Sequence, residues 1–424
     1  MIGLIILVVY VAIFVGSLFA IRFLVHKATN DFTSLKTVTF GDESAVRPNR
    51  SASVISIATI FLIWGAFTGS NWLPGFLHAP GPFVGETSFT YTLETEDGQR
   101  DDATVFVRVY DFGIKAEKFE VDEGEGIAKD DAVAMTASRS TTIIFDKNDE
   151  AKRKEGARIV AVDGVPVGPD QPAEIDAGRV ALTSKGAISF LPPRGLQMEP
   201  IWLPPPEAVV ARFVEVAKDG YRNYLLHEHL GISLFRVIAG FLLGALLGIP
   251  LGYAMGLSDW FRGWFDPIVE FMRPVPPLAL IPLVIIWFGI GEISKVILLF
   301  LAALWIMAIA ARSGVSGVAI SKVHAAYSLG ASKMQIMRHV IVPNSLPEIF
   351  TGARVAMGVC WGTVVAAELV AAENGVGMMI MAASKFQQTD IVLMGIIVIG
   401  VVGFGIDILT RMLEKWLVPW KGRV

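Results

Sequence analysis

The sequence predicts an all-α polytopic membrane protein of about seven transmembrane helices, interrupted by one inserted β-rich domain. Three observations carry this reading. Of 424 residues, 53% are hydrophobic and only 18% charged, with a mean hydropathy of +0.55, a balance set by lipid rather than water. Apolar runs of about 20 residues recur, the length a helix needs to cross hydrocarbon with every backbone polar group satisfied internally. Charge is unevenly divided: residues 78–200 hold 23 Asp and Glu against 14 Lys and Arg, leaving 17 and 22 to the remainder, so an acidic block interrupts a basic, apolar frame.

The runs cover about 2–25, 52–73, 230–257, 274–291, 294–312, 350–372 and 390–413. The first lacks a basic start, whereas Arg22, His26 and Lys27 follow it, so residues 1–28 read as an uncleaved anchor with an outside N-terminus rather than a signal peptide. Lys36, Arg47 and Arg50 then mark residues 29–51 as a cytoplasmic connection, and residues 52–73 return through the membrane. Arg262, the group Arg312, Lys322, Lys333 and Arg338, and the C-terminal Lys415, Lys421 and Arg423 fall on the same cytoplasmic side. The acidic block, residues 78–200, is thereby placed outside and the C-terminus inside.

Within the block the periodicity becomes alternating. TSFTYTLET, ATVFVRVYDF, STTIIFD, ARIVAVDGVPV and GAISFLP read as strands, and Asp163-Gly164 as a hairpin turn. A block of about 120 residues can bury its own core. DEAKRKEGA, residues 149–157, reads as a solvated turn and not as a nucleic-acid patch. His227-Glu228-His229 lacks the spacing of a zinc-binding helix and reads as a solvated turn before the membrane.

Residues 201–420 carry the remaining runs. Pro274, Pro276, Pro277 and Pro282 crowd the fourth; each removes an amide donor, which is tolerated at membrane depth only where protein or a water-filled cavity covers the freed carbonyls, so a broken helix beside a path is expected. Gly240, Gly244, Gly248, Gly252 and Gly256 recur at a spacing of four and make one smooth helix face, for packing within the chain or as a seam between two copies. The single Cys360 excludes an internal disulfide and a cysteine metal cluster.

Between the fifth and sixth runs lies HAAYSLGASKMQIMRHVIVPNSLP, His324 to Pro347. Ala325, Ala326 and Leu329 give a short helical face that stops at Gly330. Met334, Met337, Val340 and Ile341 give the apolar face of a second helix, with Lys333, Arg338 and His339 elsewhere, until Pro343 and Pro347 punctuate the return to the membrane. Residues 322–347 would thus form a compact knob on the cytoplasmic surface.

That segment resembles the coupling loop of ABC importer permeases, whose pattern is Glu-Ala-Ala, three residues, Gly, nine residues, then Ile-x-Leu-Pro. Here the positions read His324, Ala325, Ala326, Gly330, Val340, Val342 and Pro343. LPPPEAVV, SLFRVIAGFLLGALLGIPLGYAMGLS, FDPIVEFMRPVPPLALIPLVIIWFGIGEISKV, AAELVAA and LVPW extend the resemblance from about Leu203 to Trp420, nearest to permeases for taurine, alkanesulfonates and nitrate. It implies a type I importer permease fold and a loop, with His324, Ala325, Ala326, Gly330, Ala331 and Pro343, that docks in a groove of an ATP-hydrolysing subunit. His324 cannot supply the permanent negative charge of the usual Glu.

The chain has no G-x-x-x-x-G-K-[ST], so it lacks the phosphate cradle of a nucleotide motor and is not itself an enzyme. The resemblance implies ATP and magnesium on partner ATPase subunits, no cofactor on this chain, a second permease copy, an extracytoplasmic substrate-binding protein, and a bacterial inner membrane. Alternating access would reorient the helices about a path. Ionisable residues inside runs are costly in lipid and so mark candidates: Arg236, Glu270, Arg273, Arg354, Glu368 and Asp407, with Glu368 foremost and Arg273 and Arg354 near the cytoplasmic surface. Pro276, Pro277 and Trp361 complete the candidate path. The acidic block would contact the binding protein or cover the outer mouth. A membrane-anchored sensor with an outer ligand-reading domain is the competing reading; it explains the block but neither the knob nor the broken run.

Overall fold

The computed structural model describes residues 2–26, 50–122, 124–168 and 171–420. The expected cytoplasmic connection, residues 29–51, falls almost wholly outside them. The chain divides into two compact units, Met1–Glu207 and Ala208–Val424.

The first unit opens with helices α1 (Ile2–His26) and α2 (Arg50–Thr68), which touch through the Tyr10 and Phe67 rings, 4.3 Å apart. A β-rich lobe hangs from the end of α2 by a two-stranded neck. Leu196 N–H donates to the Pro80 carbonyl at 2.7 Å and Phe83 N–H to Pro193 at 3.1 Å, so the chain enters and leaves the lobe side by side. Glu207 closes the neck, accepting from Ser70 Oγ at 2.6 Å and Asn71 N–H at 2.8 Å.

The lobe contains strands β1 (Gly85–Glu94), β2 (Arg100–Tyr110), β3 (Asp131–Thr136), β4 (Thr141–Ile143), β5 (Arg158–Val162), β6 (Val165–Pro166), β7 (Ala173–Ile175), β8 (Gly178–Leu182) and β9 (Ile188–Leu191). One sheet runs β3-β2-β1-β5-β6 and the other β4-β9-β8-β7. Alternation in β1 and β2 turns Phe89, Tyr91, Leu93, Val105 and Val107 inward, and the Phe89 ring stacks on Phe190 of the other sheet at 5.0 Å. Each such fully buried side chain contributes about 1.5–3 kcal/mol from desolvation. Asp163 and Gly164 both take left-handed φ, 46° and 74°, and turn β5 into β6.

Three strands carry weak sequence signals. β3 is Ala-rich and joins β2 in parallel; β7 and β8 are short, joined by Asp176-Ala177. The segment 149–157 is not wholly solvated. Asp149 is buried beneath the lobe's edge, accepting from Lys129 N–H at 2.7 Å and from Tyr91 Oη at 3.2 Å, and burial pushes its carboxyl pKa up. Asp146 behaves oppositely, because the Arg153 guanidinium bonds it and holds its carboxyl below the usual range.

The second unit is helical: α3 (Pro206–Asp219, straddling the division), α4 (Leu226–Leu257), α5 (Asp259–Met272), α6 (Ile281–Phe288), α7 (Glu292–Ser316), α8 (Ile320–Ser328), α9 (Lys333–Ile336), α10 (Val342–Ala371), α11 (Val376–Lys385) and α12 (Thr389–Leu417). The glycine face of α4 lies on α7 of the same chain. A Cβ on Gly240 would sit 2.3 Å from Leu299 Cβ, and one on Gly244 2.5 Å from Ala303 Cβ. Close backbone approach, with Ala302, Ala303 and Ala311 opposite, therefore replaces large interlocking side chains here. Gly352 brings α10 onto α7 in the same way, its Cβ position 2.2 Å from Ala310 Cβ.

Among the described residues, α4, α7, the joined helix 333–370 and α12 are long and apolar enough to cross a membrane. The fourth run is broken, as its prolines imply, but its bounds are corrected: α5 and residues 277–288 form a pair bent by 92°, with Arg273–Pro276 at the break, so the bent pair begins at Asp259 and not at 274. Counting that pair as one gives five crossings; the apolar parts of α1 and α2, residues 8–21 and 52–68, are shorter helices. The sixth run also starts early. Pro343 sits in the first turn of α10, directly after the Met337–Ile341 turn that joins it to α9, and Pro347 lies inside the helix.

Candidate functional site

The second unit has two polar ends. One gathers the start of α4, the start of α7, the end of α10 and the α10–α11 corner. Arg236, one-third along α4, has 0% exposure. Its guanidinium donates to Glu292 Oε2 and Oε1 at 2.6 Å each, to Glu368 Oε1 at 2.7 Å and to Asn374 Oδ1 at 2.6 Å. Glu368, itself 1% exposed, also accepts from Ser233 Oγ at 2.8 Å and Gly377 N–H at 2.9 Å. Lys295 adds a second cation to Glu292 at 3.0 Å. Two cations thus face two carboxylates, and the guanidinium fork is filled, as a buried charge requires.

The corner itself is fixed by a glycine and a histidine. Gly375 takes φ +113°, and a Cβ there would fall 2.4 Å from the Glu368 carboxyl carbon. Its N–H donates to His229 Nδ1 at 3.1 Å, so Nε2 carries the proton and donates to the Tyr221 carbonyl at 3.1 Å. This corrects the expectation of a solvated His227-Glu228-His229: His227 and Glu228 are exposed, while His229 is buried in the first turn of α4. Among the described residues no cluster is arranged to hold a metal.

The other end carries the segment between α7 and α10. Helix α8 closes in a Schellman turn: Ala331 N–H donates to the Ala326 carbonyl at 3.1 Å and Gly330 N–H to Tyr327 at 2.9 Å, with Gly330 at φ +81°. The Ala-x-x-x-Gly-Ala spacing is therefore the signature of this stop. Ser332 opens the next helix with a capping box, its Oγ accepting from Gln335 N–H while Gln335 Oε1 accepts from Ser332 N–H at 2.8 Å. Nothing but Ser-x-x-Gln was needed to see it.

Residues Met337–Ile341 form a π turn, which shifts the faces. The expected apolar face is corrected at one residue: Met337, Val340 and Ile341 are half-buried, but Met334 is 74% exposed and Ile336, 6% exposed, packs inward instead. Hydrogen bonds, none of them to a carboxylate, fix the knob to the bundle. Lys322 Nζ donates to Asn344 Oδ1 at 2.8 Å, Asn344 Nδ2 to the Val340 carbonyl at 2.7 Å, and Tyr253 and Ser345 share a hydrogen bond at 2.6 Å. Pro347 has no N–H for the Pro343 carbonyl, and Trp420 Nε1 takes its place at 3.3 Å. His324 and Ala325 are exposed, Ala326 and Ala331 half-buried, and Leu329 stands out at 88%.

The path candidates are not brought together. Glu368 belongs to the Arg236 cluster. Arg273 is exposed beside Glu270, 3.8 Å away, and Pro276 and Pro277 sit at the α5–α6 break. Trp361 is buried between α10 and α12, donating to the Ile399 carbonyl at 3.1 Å. Arg354 pairs with Glu414 and Asp407, and Glu270 with Arg312, toward the knob end.

Comparison with known proteins agrees with this architecture. Residues 240–419 match the family described as "Binding-protein-dependent transport system inner membrane component". The taurine transport system permease protein TauC of Escherichia coli is 46% identical over 228 residues, 54% of this chain and 83% of that one. The putative aliphatic sulfonates transport permease protein SsuC of the same organism is 41% identical over 51% of this chain and 81% of its own length. The nitrate import permease protein NrtB of Synechococcus elongatus is 31% identical over 46% of this chain and 67% of its own. The chain thus belongs to the binding-protein-dependent inner membrane components, the multi-pass permease subunits of ABC importers.

Proposed function

We propose that this chain moves a small organic anion, taurine or another sulfonate, inward across the bacterial inner membrane by alternating access. The observation that carries the reading is the knob: a capped helix–turn–helix between α7 and α10, exposing Leu329 and Met334 at one end of a bundle whose other end is internally satisfied. Separate ATPase subunits, binding ATP and magnesium, grip it, and the hydrogen-bonded anchors to α4 and α10 carry their motion into the helices. A second copy supplies the matching half, and the bent α5–α6 pair lines the route between them.

The knob end faces the cytoplasm with the C-terminus, and the N-terminus and β-rich lobe face outside, the lobe contacting an extracytoplasmic substrate-binding protein. Identity of 46% to a taurine permease supports the sulfonate class and disfavours the membrane-anchored sensor. The test is uptake of labelled taurine, an alkanesulfonate and nitrate in cells lacking their own systems but expressing this chain with its ATPase and binding protein. ATP-dependent sulfonate uptake is expected; uptake of nitrate alone would refute the substrate class. Deleting residues 83–198 while retaining membrane insertion is expected to impair uptake, and unchanged uptake would reject the role of the lobe.

A further inference from the structure

Resting on that reading of the knob, we infer that its partner groove is acidic: the chain presents an apolar tip ringed by cations, complementary to an apolar socket with a carboxylate rim on the ATPase. From Ile293 to Pro347 the sequence contains no Asp or Glu. Over the same stretch Lys333 and Arg338 are exposed around the tip formed by Tyr327, Leu329 and Met334, and His324 stands exposed where the family pattern has its one acid.

Of the acids at this end of the bundle, Asp259 and Glu348 are exposed at the starts of α5 and α10, and the other four are paired within the chain. Asp266 and Glu270 bond Arg312, and Asp407 and Glu414 bond Arg354. Lys322 donates to the Asn344 amide, while Lys333 and Arg338 are exposed and make no ion pair with a carboxylate among the described residues. A rim of one sign meets a rim of the other on docking, since like charges placed opposite one another oppose assembly and charge complementarity sets register and rate. The shape of the knob does not depend on these cations, because the Schellman turn and the Ser332–Gln335 capping box hold it.

The test uses the full chain and its ATPase. A photocrosslinker at exposed Ser328 reports docking, and assembly affinity is titrated against salt. The double variant Lys333→Glu, Arg338→Glu is expected to weaken assembly about tenfold at low salt, with the difference shrinking toward about 0.5 M salt, and Lys333→Arg, Arg338→Lys to bind as the parent. His324→Glu, although it restores the residue usual in the family, is expected to weaken assembly about two- to fivefold.

Crosslinking to the ATPase with affinities indifferent to salt and to charge reversal would overturn the acidic groove and leave the functional reading standing. No capture of the ATPase by the parent would sink the functional reading itself. A reversal effect seen in anionic-lipid nanodiscs and absent from neutral ones would assign the cations to the bilayer surface, which also overturns the proposal.

Discussion

The two ends of the helical unit treat charge in opposite ways. At the Arg236 end, four charged side chains from α4, α7 and α10 pair with one another, Arg236, Lys295 and Glu368 buried and Glu292 55% exposed. At the knob end, the polypeptide is shaped by a glycine stop, a cap and hydrogen bonds without carboxylates, while Lys333, Arg338, Leu329 and Met334 are exposed. The first end pairs its charges within the chain; the second leaves those four side chains on the surface.

Four substitutions would break or sharpen this contrast. The largest effect belongs to Glu368→Ala, which leaves a buried guanidinium short of a carboxylate. It is expected to cost about 3–5 kcal/mol, read as a fall in the thermal midpoint of the purified protein. An unchanged midpoint would show that the cluster contributes nothing to closure of that end. Gly244→Val drives a branched side chain into Ala303 and the Phe300 carbonyl and is expected to cost about 1–3 kcal/mol or prevent folding.

At the knob the sign of the contrast reverses: Gly330→Ala strains one left-handed residue by about 1–2 kcal/mol, with open space around its Cβ. Thermal stability of the bundle is expected to hold while ATP hydrolysis in the assembled importer uncouples from uptake. Equal losses at both would deny the knob its separate role.

The smallest effect lies in the lobe, where one buried carboxyl accepts from two neutral donors, Lys129 N–H and Tyr91 Oη, with the Lys152 ammonium on its backbone carbonyl. Burial raises the pKa of Asp149, so the folded lobe binds its proton more tightly than the unfolded chain, and stability from this group grows as pH falls from neutral through that raised value. Asp146, held down by Arg153, has the opposite slope: its stabilisation is present above the ordinary carboxylate range and is lost as pH falls through its folded value. Asp149→Asn is expected to change lobe stability by less than about 1 kcal/mol at neutral pH and to remove the first slope. Hydrogen exchange at β1 amides of the full chain measures it; a retained slope would place the proton elsewhere.

The knob was legible because its information is local. Ala326, Gly330 and Ala331 form one turn within six residues, and Ser332 and Gln335 one cap within four, so spacing alone encodes both. The glycine face was legible for the same reason, and its place on α7 supplied what spacing could not, namely the partner helix. The Arg236 cluster was not legible as a cluster. Its members are separated by 56 and 132 residues, and only folding brings Arg236, Glu292 and Glu368 within hydrogen-bonding distance.

Two misreadings have separate causes. Counting 3.6 residues per turn put Met334 on the face of Met337, Val340 and Ile341, but the π turn at Met337–Ile341 breaks that count and leaves Met334 outside. His229 read as solvated because its partners, Tyr221 and Gly375, lie on a preceding turn and a distant corner.

The most direct test of the central claim is thiol accessibility at the two ends. Cys360 is buried, so a cysteine placed at Ala325 in the knob, or at Asn223 at the opposite end, reports alone. A membrane-impermeant reagent is expected to label Asn223→Cys in intact cells, and Ala325→Cys only in inside-out membranes, where bound ATPase protects it. Labelling of Ala325→Cys from outside, or no protection by the ATPase, would contradict the account.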